Sequence, residues 1–167
     1  MPGRETHKYV GAAAGLALAA GQAQQESKPH FWIEMMGGAL GGMVGGIAPD
    51  WLEPAVCSWH RGVCHSATAG GALIYAHEAL ANWASICRQN ATECRMVPQV
   101  EDVHTGEWLP IQPTPLQQVW SEICEFIWTL LAGFLNGLAA GYVSHLLLDA
   151  ATPRGIPILA GRAALKI

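Results

Sequence analysis

The residues best suited to chemistry in this 167-residue chain are histidines and aspartates. They occur in four fragments, "RETHKYVG", "GGIAPDWLEP", "HRGVCHS" and "GYVSHLLLDAATPRG". Imidazole and carboxylate groups are ligands that zinc and other borderline divalent ions prefer. The candidate metal ligands are His7, Asp50, His60, His65, His145 and Asp149. Such a set holds one to three divalent ions, and we predict two, with zinc as the favoured metal.

Spacing indicates how these ligands act together. His145 and Asp149 are four residues apart, so on a helix both reach one ion from the same face. His60 and His65 are five apart, which fits no single helix face, and at least one of them should lie in a loop. The fragment "HRGVCHS" therefore predicts a loop that enters a helix, and Ser66 is suited to cap that helix.

Three residues carry the predicted catalysis. Asp50 or Asp149 orients a water molecule that metal ions acidify, and Arg61 stabilises the charge that develops on a phosphoryl group. The alternative role of Arg61 is an ion pair with Asp50 or Glu53. Pro49 predicts that the preceding helix stops there, so that the Asp50 carboxylate projects from a helix end. The expected reaction is hydrolysis of a phosphate ester.

Rows of glycine residues lead to several of these ligands at intervals of four. The rows are His7-Gly11-Gly15, Gly38-Gly42-Gly46-Asp50 and Gly133-Gly137-Gly141-His145-Asp149. Residues four apart lie on one helix face, and glycine lets neighbouring helix backbones approach closely. We therefore expect three helices to pack along their glycine faces and to bring their ligands to one cavity.

The hydrophobic pattern predicts an all-α fold. Helical stretches are expected at about 9–20, 31–47, 67–86 and 116–150. A polar, proline-containing segment at about 87–118 is expected to form a surface excursion with a short hairpin. We predict a single domain over 1–167, folded as a compact bundle of four to five glycine-rich helices. The apolar N-terminal stretch is expected to be a retained helix and not a signal peptide.

Composition favours membrane association. The chain is 51% hydrophobic and only 13% charged, and residues 126–144 contain no acid or base. That length crosses a bilayer, so membrane lipid is the expected partner, and a homo-oligomer is compatible with the composition. The alternative is a very apolar core of a soluble helical protein. The net charge of −4, without a dense basic run, disfavours nucleic-acid binding.

Five cysteines without a CxxC pair argue against a cysteine zinc site. Cys87 and Cys94 flank a polar segment and are the candidate disulfide pair if that segment faces an oxidising compartment; otherwise all five are free thiols. Glu34 and Glu125 interrupt apolar runs, and we expect both at a membrane interface.

The four fragments, in this order, resemble the YdjM family of inner-membrane-bound, metal-dependent hydrolases. That resemblance implies location in the bacterial inner membrane and metal-dependent hydrolysis. The order of His, Pro-Asp, paired His and HxxxD also resembles zinc-dependent phospholipase C and its single-strand nuclease relatives, which are all-helical. It implies the same six metal ligands and a phosphate ester, such as a phospholipid, as substrate. This chain lacks the HxxxE helix of those enzymes, so a complete three-metal centre is not expected.

Three functions remain open from the sequence. The first is a membrane-associated hydrolase of a lipidic phosphate ester that uses a metal-activated water. The second is a non-catalytic membrane protein with a structural metal site. The third is a soluble, metal-dependent nuclease or amidohydrolase.

Overall fold

Four helices make up most of the protein. A computed structural model describes residues 3–25, 30–53, 63–152, 156–157 and 164–165. The helices are α1 (Arg4–Gln25), α2 (Phe31–Leu52), α3 (Ala67–Arg95) and α4 (Pro115–Ala150). Two short antiparallel ladders accompany them, β1 (Gln99–Glu101) with β2 (Trp108–Pro110) and β3 (Ile156–Pro157) with β4 (Ala164–Leu165). The predicted all-α fold is confirmed, and each predicted helical stretch coincides with one helix.

Two boundaries differ from the prediction. Helix α2 continues through Pro49 to Leu52, because a proline in the last turn removes only one backbone hydrogen bond. The predicted helix end before Asp50 is therefore wrong. Helices α3 and α4 leave only residues 96–114 between them, whereas the predicted excursion covered 87–118. Helix α3 extends further than predicted because Ala84, Cys87 and Ala91 form one buried face. The polar residues between them make this face hard to recognise in the sequence.

Side-chain caps fix the starts of the last two helices. The Ser66 hydroxyl accepts a hydrogen bond from the Ala69 amide at 3.2 Å, as predicted for α3. At α4, Thr114 and Gln117 form a reciprocal capping box, and a proline occupies the first turn. Between these helices, β1 and β2 form the expected hairpin. Its turn contains Gly106 at a φ of 70°, a conformation that glycine adopts without strain.

The helices alternate in direction along the chain. Glycines near the start of α1 face glycines near the end of α2, whereas the glycine rows of α2 and α4 match in the same direction. Since α2 and α4 run in parallel, α3 must return alongside α4. We call the end that contains His7, Asp50, His65 and Asp149 the ligand end. The opposite end, which contains Gln22, Glu34, Arg88 and Glu125, is called the far end.

Glycine faces hold three of the helices together, as predicted. A Cβ added to Gly42 would lie 2.9 Å from the Gly11 carbonyl carbon and 3.0 Å from the Gly15 Cα. A Cβ on Gly141 would lie 2.8 Å from the Gly42 Cα. Real Cβ atoms do not approach other atoms this closely, so only glycine fits at these crossings. A second row, Gly37-Gly41-Gly45, meets the α4 backbone in the same way, and it was not predicted.

The distribution of side chains suits a lipid environment. Among the described residues, the largest fully buried side chains include two histidines, a glutamate and an asparagine, and the buried apolar residues are mostly alanines. Large apolar side chains lie outside; Trp32, for example, is 71% exposed. Small residues at helix contacts with apolar residues outside are typical of helices packed in lipid.

Two of the described helices, α2 and α4, are long and apolar enough to cross a membrane. Helix α2 has 22 residues, about 33 Å at 1.5 Å per residue, which matches a hydrocarbon core of about 30 Å. Helix α4 has 36 residues and extends beyond α2 at the far end. The hairpin of β1 and β2 therefore lies on the far-end side, and the candidate ligands lie on the other side.

Candidate metal centre

Five of the six predicted metal ligands meet at the ligand end. His7 comes from the first turns of α1, Asp50 from the last turn of α2, and His65 from the residues just before α3. His145 and Asp149 come from the last turns of α4. Four of the five are almost fully buried, and the Asp50 side chain is 25% exposed. The glycine rows thus end at a common cluster of polar side chains, as the spacing predicted.

The ligand atoms are spaced as a divalent ion requires. His7 Nε2 lies 3.5 Å from Asp149 Oδ1, and His145 Nε2 lies 3.7 Å from Asp149 Oδ2. His65 Nε2 lies 3.4 Å from Asp50 Oδ1. Two ligands bound tetrahedrally at zinc distances of about 2.0–2.2 Å lie roughly 3.3–3.6 Å apart. The geometry therefore fits ligands that share an ion.

His145 is oriented by the backbone of α2. Its Nδ1 lies 2.6 Å from the Gly46 carbonyl oxygen, which can only accept, so Nδ1 is the protonated donor. Its Nε2 then carries the lone pair, and it is buried without a hydrogen-bond partner among the described residues. The ring also stacks on His7, with ring centroids 3.8 Å apart. An oriented, buried and unpartnered imidazole nitrogen is what a metal ligand provides.

Glu53 orients His65 in the same way that the Gly46 carbonyl oxygen orients His145. Its Oε2 lies 3.1 Å from His65 Nδ1, and its Oε1 accepts from the Val63 amide at 2.7 Å. With Nδ1 held by this carboxylate, His65 Nε2 points toward Asp50. A carboxylate behind a metal-binding histidine fixes its tautomer and raises its basicity. From the sequence, Glu53 was expected only as an ion-pair partner for Arg61; its position three residues after Asp50 was the signal that could have revealed this role.

Hydrogen bonding sets the protonation of this pair. Burial disfavours the charged carboxylate of Glu53, but hydrogen bonds from the Cys64 amide, His65 and the Val63 amide together lower its pKa. Burial likewise opposes protonation of His65, but hydrogen bonds with Asp50 and Glu53 raise the pKa of the imidazole above its ordinary value. A metal ion and a proton therefore compete for His65 Nε2, because the surrounding carboxylates stabilise either positive charge.

The five ligands form two overlapping groups of three. One is His7, His145 and Asp149, and the other is Asp50, His65 and His145. Both groups use Nε2 of His145, and a nitrogen lone pair binds one ion. The described residues therefore provide one complete three-ligand site and two ligands toward a second. Three protein ligands with an open fourth position are typical of catalytic zinc.

Two predicted residues lie outside the part of the chain that the structure describes. These are His60, the predicted sixth ligand, and Arg61, the predicted phosphate-binding residue; both fall within 54–62. Their roles stay predictions. By the count of ligands, His60 is the candidate that would complete the second group beside Asp50 and His65.

The carboxylates Glu34 and Glu125 belong to a different cluster. At the far end, Glu34 is buried and accepts a hydrogen bond from Arg88 Nε at 3.0 Å. Glu125 forms ion pairs with Arg95 and His30. Both carboxylates therefore serve charge pairing about one helix length away from the metal centre.

Comparisons with known proteins agree with the architecture. No curated protein and no solved structure matches the chain. The model of one family, described as YdjM inner membrane protein, matches residues 1–160. This match covers all four helices and every predicted metal ligand. The chain therefore belongs to the YdjM inner membrane protein family, and it is located in the inner membrane.

Proposed function

We propose that this protein is a metal-dependent hydrolase that cleaves a phosphate ester of a membrane lipid. The observation that carries the proposal is the convergence of five imidazole and carboxylate side chains, from α1, α2, α4 and the residues just before α3, on one buried cluster. Ionisable groups buried within a membrane bundle are costly to keep there, and such groups commonly mark a functional site.

The donor set fits zinc or a similar divalent ion, which, when bound, lowers the pKa of a water molecule toward neutrality. His7, His145 and Asp149 would hold the first ion, and Asp50 and His65, with His60 as the predicted third ligand, would hold the second. Asp50 differs from the other described ligands because its side chain is partly exposed. Asp50 is therefore placed to accept a hydrogen bond from a water molecule and to orient it, whereas Asp149 acts as a buried ligand. Arg61 supplies the positive charge for the phosphoryl group.

An apolar groove beside the metal centre supports a lipidic substrate. It has a volume of about 390 Å³ and lies between α1, α3 and α4, which contribute Leu18, Ile74 and Val143 among others. Ser144 and Leu147, the neighbours of His145 along one turn, also line it. Helices α1 and α3 make few direct contacts, so the groove opens sideways between them. In a membrane such an opening faces acyl chains, and an ester headgroup would lie near the ligands.

Metal analysis and hydrolysis assays test the proposal together. The detergent-purified protein should contain about two equivalents of zinc and should hydrolyse a long-chain phosphatidic acid. His145→Ala and Asp149→Ala should each abolish hydrolysis and reduce the metal content, because each removes a ligand of the complete site. His104→Ala is the matched control, since this histidine is exposed in the hairpin turn. Unchanged metal content and hydrolysis in the first two variants would refute the site.

The groove has its own test. Ala140→Phe places a ring among the groove-lining residues and should raise KM for a long-chain substrate far more than KM for a short-chain, water-soluble phosphodiester. Equal effects on both substrates would show that the groove does not bind the acyl chain.

A structural metal site is the second candidate function. It is favoured by the depth of the ligands, since His65 and His145 are fully buried and His7 is 3% exposed. In that case the protein retains its metal, loses stability when a chelator removes it, and hydrolyses none of the phosphate esters tested. Membership of an inner membrane family leaves the third alternative, a soluble nuclease or amidohydrolase, without support.

A further inference from the structure

Two cysteines on neighbouring helices meet at the far end. Cys94 lies near the end of α3 and Cys124 lies in the first part of α4. Ser121, one turn before Cys124, donates its hydroxyl to the Cys94 carbonyl oxygen, which holds the two helices together there. Both cysteines line the same surface pocket, and their thiols are close enough to interact. Both are free thiols in the structure.

This pairing differs from the pair that the sequence suggested. Cys87 and Cys94 both lie on α3, two turns apart, or about 10 Å along the helix axis. A disulfide requires Cα atoms within about 7 Å, so a Cys87–Cys94 bond is wrong for this fold. Cys87 instead packs in the apolar contact with Ala84 and Ala132.

The cysteines lie beyond the membrane-crossing part of the bundle. Gly133 of α4 lies against Glu34, near the start of α2. Cys124 is nine residues before Gly133 in the sequence, about 14 Å toward the far end. The charged group of His30, Arg95 and Glu125 lies at this level, as expected for residues at a membrane surface. The cysteines are therefore placed where water-soluble redox proteins can reach them.

The distribution of basic residues assigns the two ends to compartments. Of the nine Lys and Arg residues in the sequence, six fall in the first turns of α1, the α2–α3 connection and the segment after α4. These six residues are Arg4, Lys8, Arg61, Arg154, Arg162 and Lys166. All three segments join the ligand end. One of the remaining three, Arg88, is paired with buried Glu34 inside the bundle. An excess of basic residues marks the cytoplasmic side of inner membrane proteins.

We infer that the ligand end faces the cytoplasm, and that Cys94 and Cys124 form a disulfide on the periplasmic side. The periplasm is an oxidising compartment in which such bonds persist. The oxidant is the disulfide of a periplasmic thiol oxidoreductase. One cysteine attacks that disulfide and the second resolves the mixed disulfide, so that the Cys94–Cys124 bond forms while the two electrons and two protons pass to the oxidoreductase as a dithiol. Burial and the neighbouring Cys124 raise the pKa of Cys94, which is consistent with a need for a catalyst.

Thiol counting tests the disulfide. Free thiols in cells are blocked with N-ethylmaleimide. The denatured protein is then reduced and treated with a maleimide whose added mass can be detected. The wild-type protein should gain two labels that depend on reduction, and Cys94→Ser and Cys124→Ser should each gain none. Cys87→Ala is the matched control on the same helix and should still gain two. An absence of labels in the wild-type protein, or their retention in Cys94→Ser, would overturn the disulfide.

A separate experiment tests the orientation. In a Cys94→Ser/Cys124→Ser background, Thr105→Cys places a thiol in the exposed hairpin turn. A membrane-impermeant maleimide should label it in cells whose outer membrane alone is permeabilised. Labelling only after the inner membrane is opened would reverse the orientation and overturn the inference. Neither experiment depends on hydrolysis, so the inference and the proposed function can fail independently.

Discussion

Replacing a single glycine of the α1 row with alanine tests whether backbone contact holds the bundle together. In Gly15→Ala the new methyl group lies 2.8 Å from the Gly42 Cα and 3.0 Å from the Gly42 amide nitrogen, and closer still to the Gly38 carbonyl oxygen. All three are backbone atoms, so no side chain can rotate away. Gly21→Ala is the matched control, because it lies on the same helix and a Cβ there has no atom within 4 Å.

The magnitude follows from the overlap. Carbon atoms rest at about 3.5–4.0 Å, so α1 must move from α2 by at least about 0.7 Å to relieve the contact with the Gly42 Cα, and the closer Gly38 oxygen requires more. A gap of this size loses at least about a quarter to a half of the dispersion energy of the facing contacts. Overpacking of this kind costs about 1–3 kcal/mol, and alanine recovers up to about 1 kcal/mol of helix propensity. Both variants recover the same helix propensity, so Gly15→Ala should have a free energy of unfolding about 1–3 kcal/mol lower than that of Gly21→Ala. Gly21→Ala itself should leave the free energy of unfolding equal or raise it slightly.

The free energy of unfolding can be measured by titrating the detergent-purified protein with sodium dodecyl sulfate and following helical circular dichroism. Zinc affinity gives a second measurement, because a displaced α1 carries His7 away from Asp149. Gly15→Ala should therefore bind zinc more weakly than Gly21→Ala. Equal stability and equal zinc affinity in the two variants would refute the claim that these helices pack backbone on backbone.

Three further outcomes follow from other contacts. Glu53→Gln should weaken zinc binding by about 10–100-fold, because His65 loses the carboxylate that orients it, as zinc titration would show. Since hydrogen bonds raise the pKa of His65, protons compete with the metal; zinc affinity should fall steadily as pH is lowered from about 8 to about 6, and a constant affinity would contradict this. Arg88→Met alone should destabilise the bundle by about 3–5 kcal/mol by leaving Glu34 charged and buried, whereas Arg88→Met with Glu34→Leu should be nearly neutral. If the double variant is as unstable as the single one, the pairing is not the cause.

The sequence predicted which histidines and aspartates converge, because their spacing follows the helical repeat. Rows of small residues at intervals of four identify a contact face without knowledge of the partner helix, and a ligand at the end of such a row belongs to the same face. His145 and Asp149 were placed in this way. The order of the helices then brings His7 and Asp50 to them, because alternate helices run in opposite directions.

Other features depended on contacts that a sequence does not display. Glu53 acts through a hydrogen bond to His65, which is twelve residues away in the sequence. The two residues are separated by the α2–α3 connection, where no helical repeat relates one position to another. The row Gly37-Gly41-Gly45 ends in no ligand and therefore did not stand out. The end of α2 was misplaced because the effect of Pro49 depends on where in the helix it falls. The length of α3 was underestimated because its polar outer face obscured a narrow buried one.

The unequal packing of the four helices divides the metal centre into a fixed part and a movable part. Helices α1, α2 and α4 touch backbone to backbone, and they carry His7, Asp50, His145 and Asp149. Helix α3 rests on α4 through side chains; its Gly70, for instance, faces only the Leu146 side chain, and His65 immediately precedes it. A small tilt of α3 would therefore withdraw His65 and leave the other four described candidate ligands in register. In the proposed hydrolase, an ion or a product would therefore exchange on the α3 side, while the other four ligands stay in place.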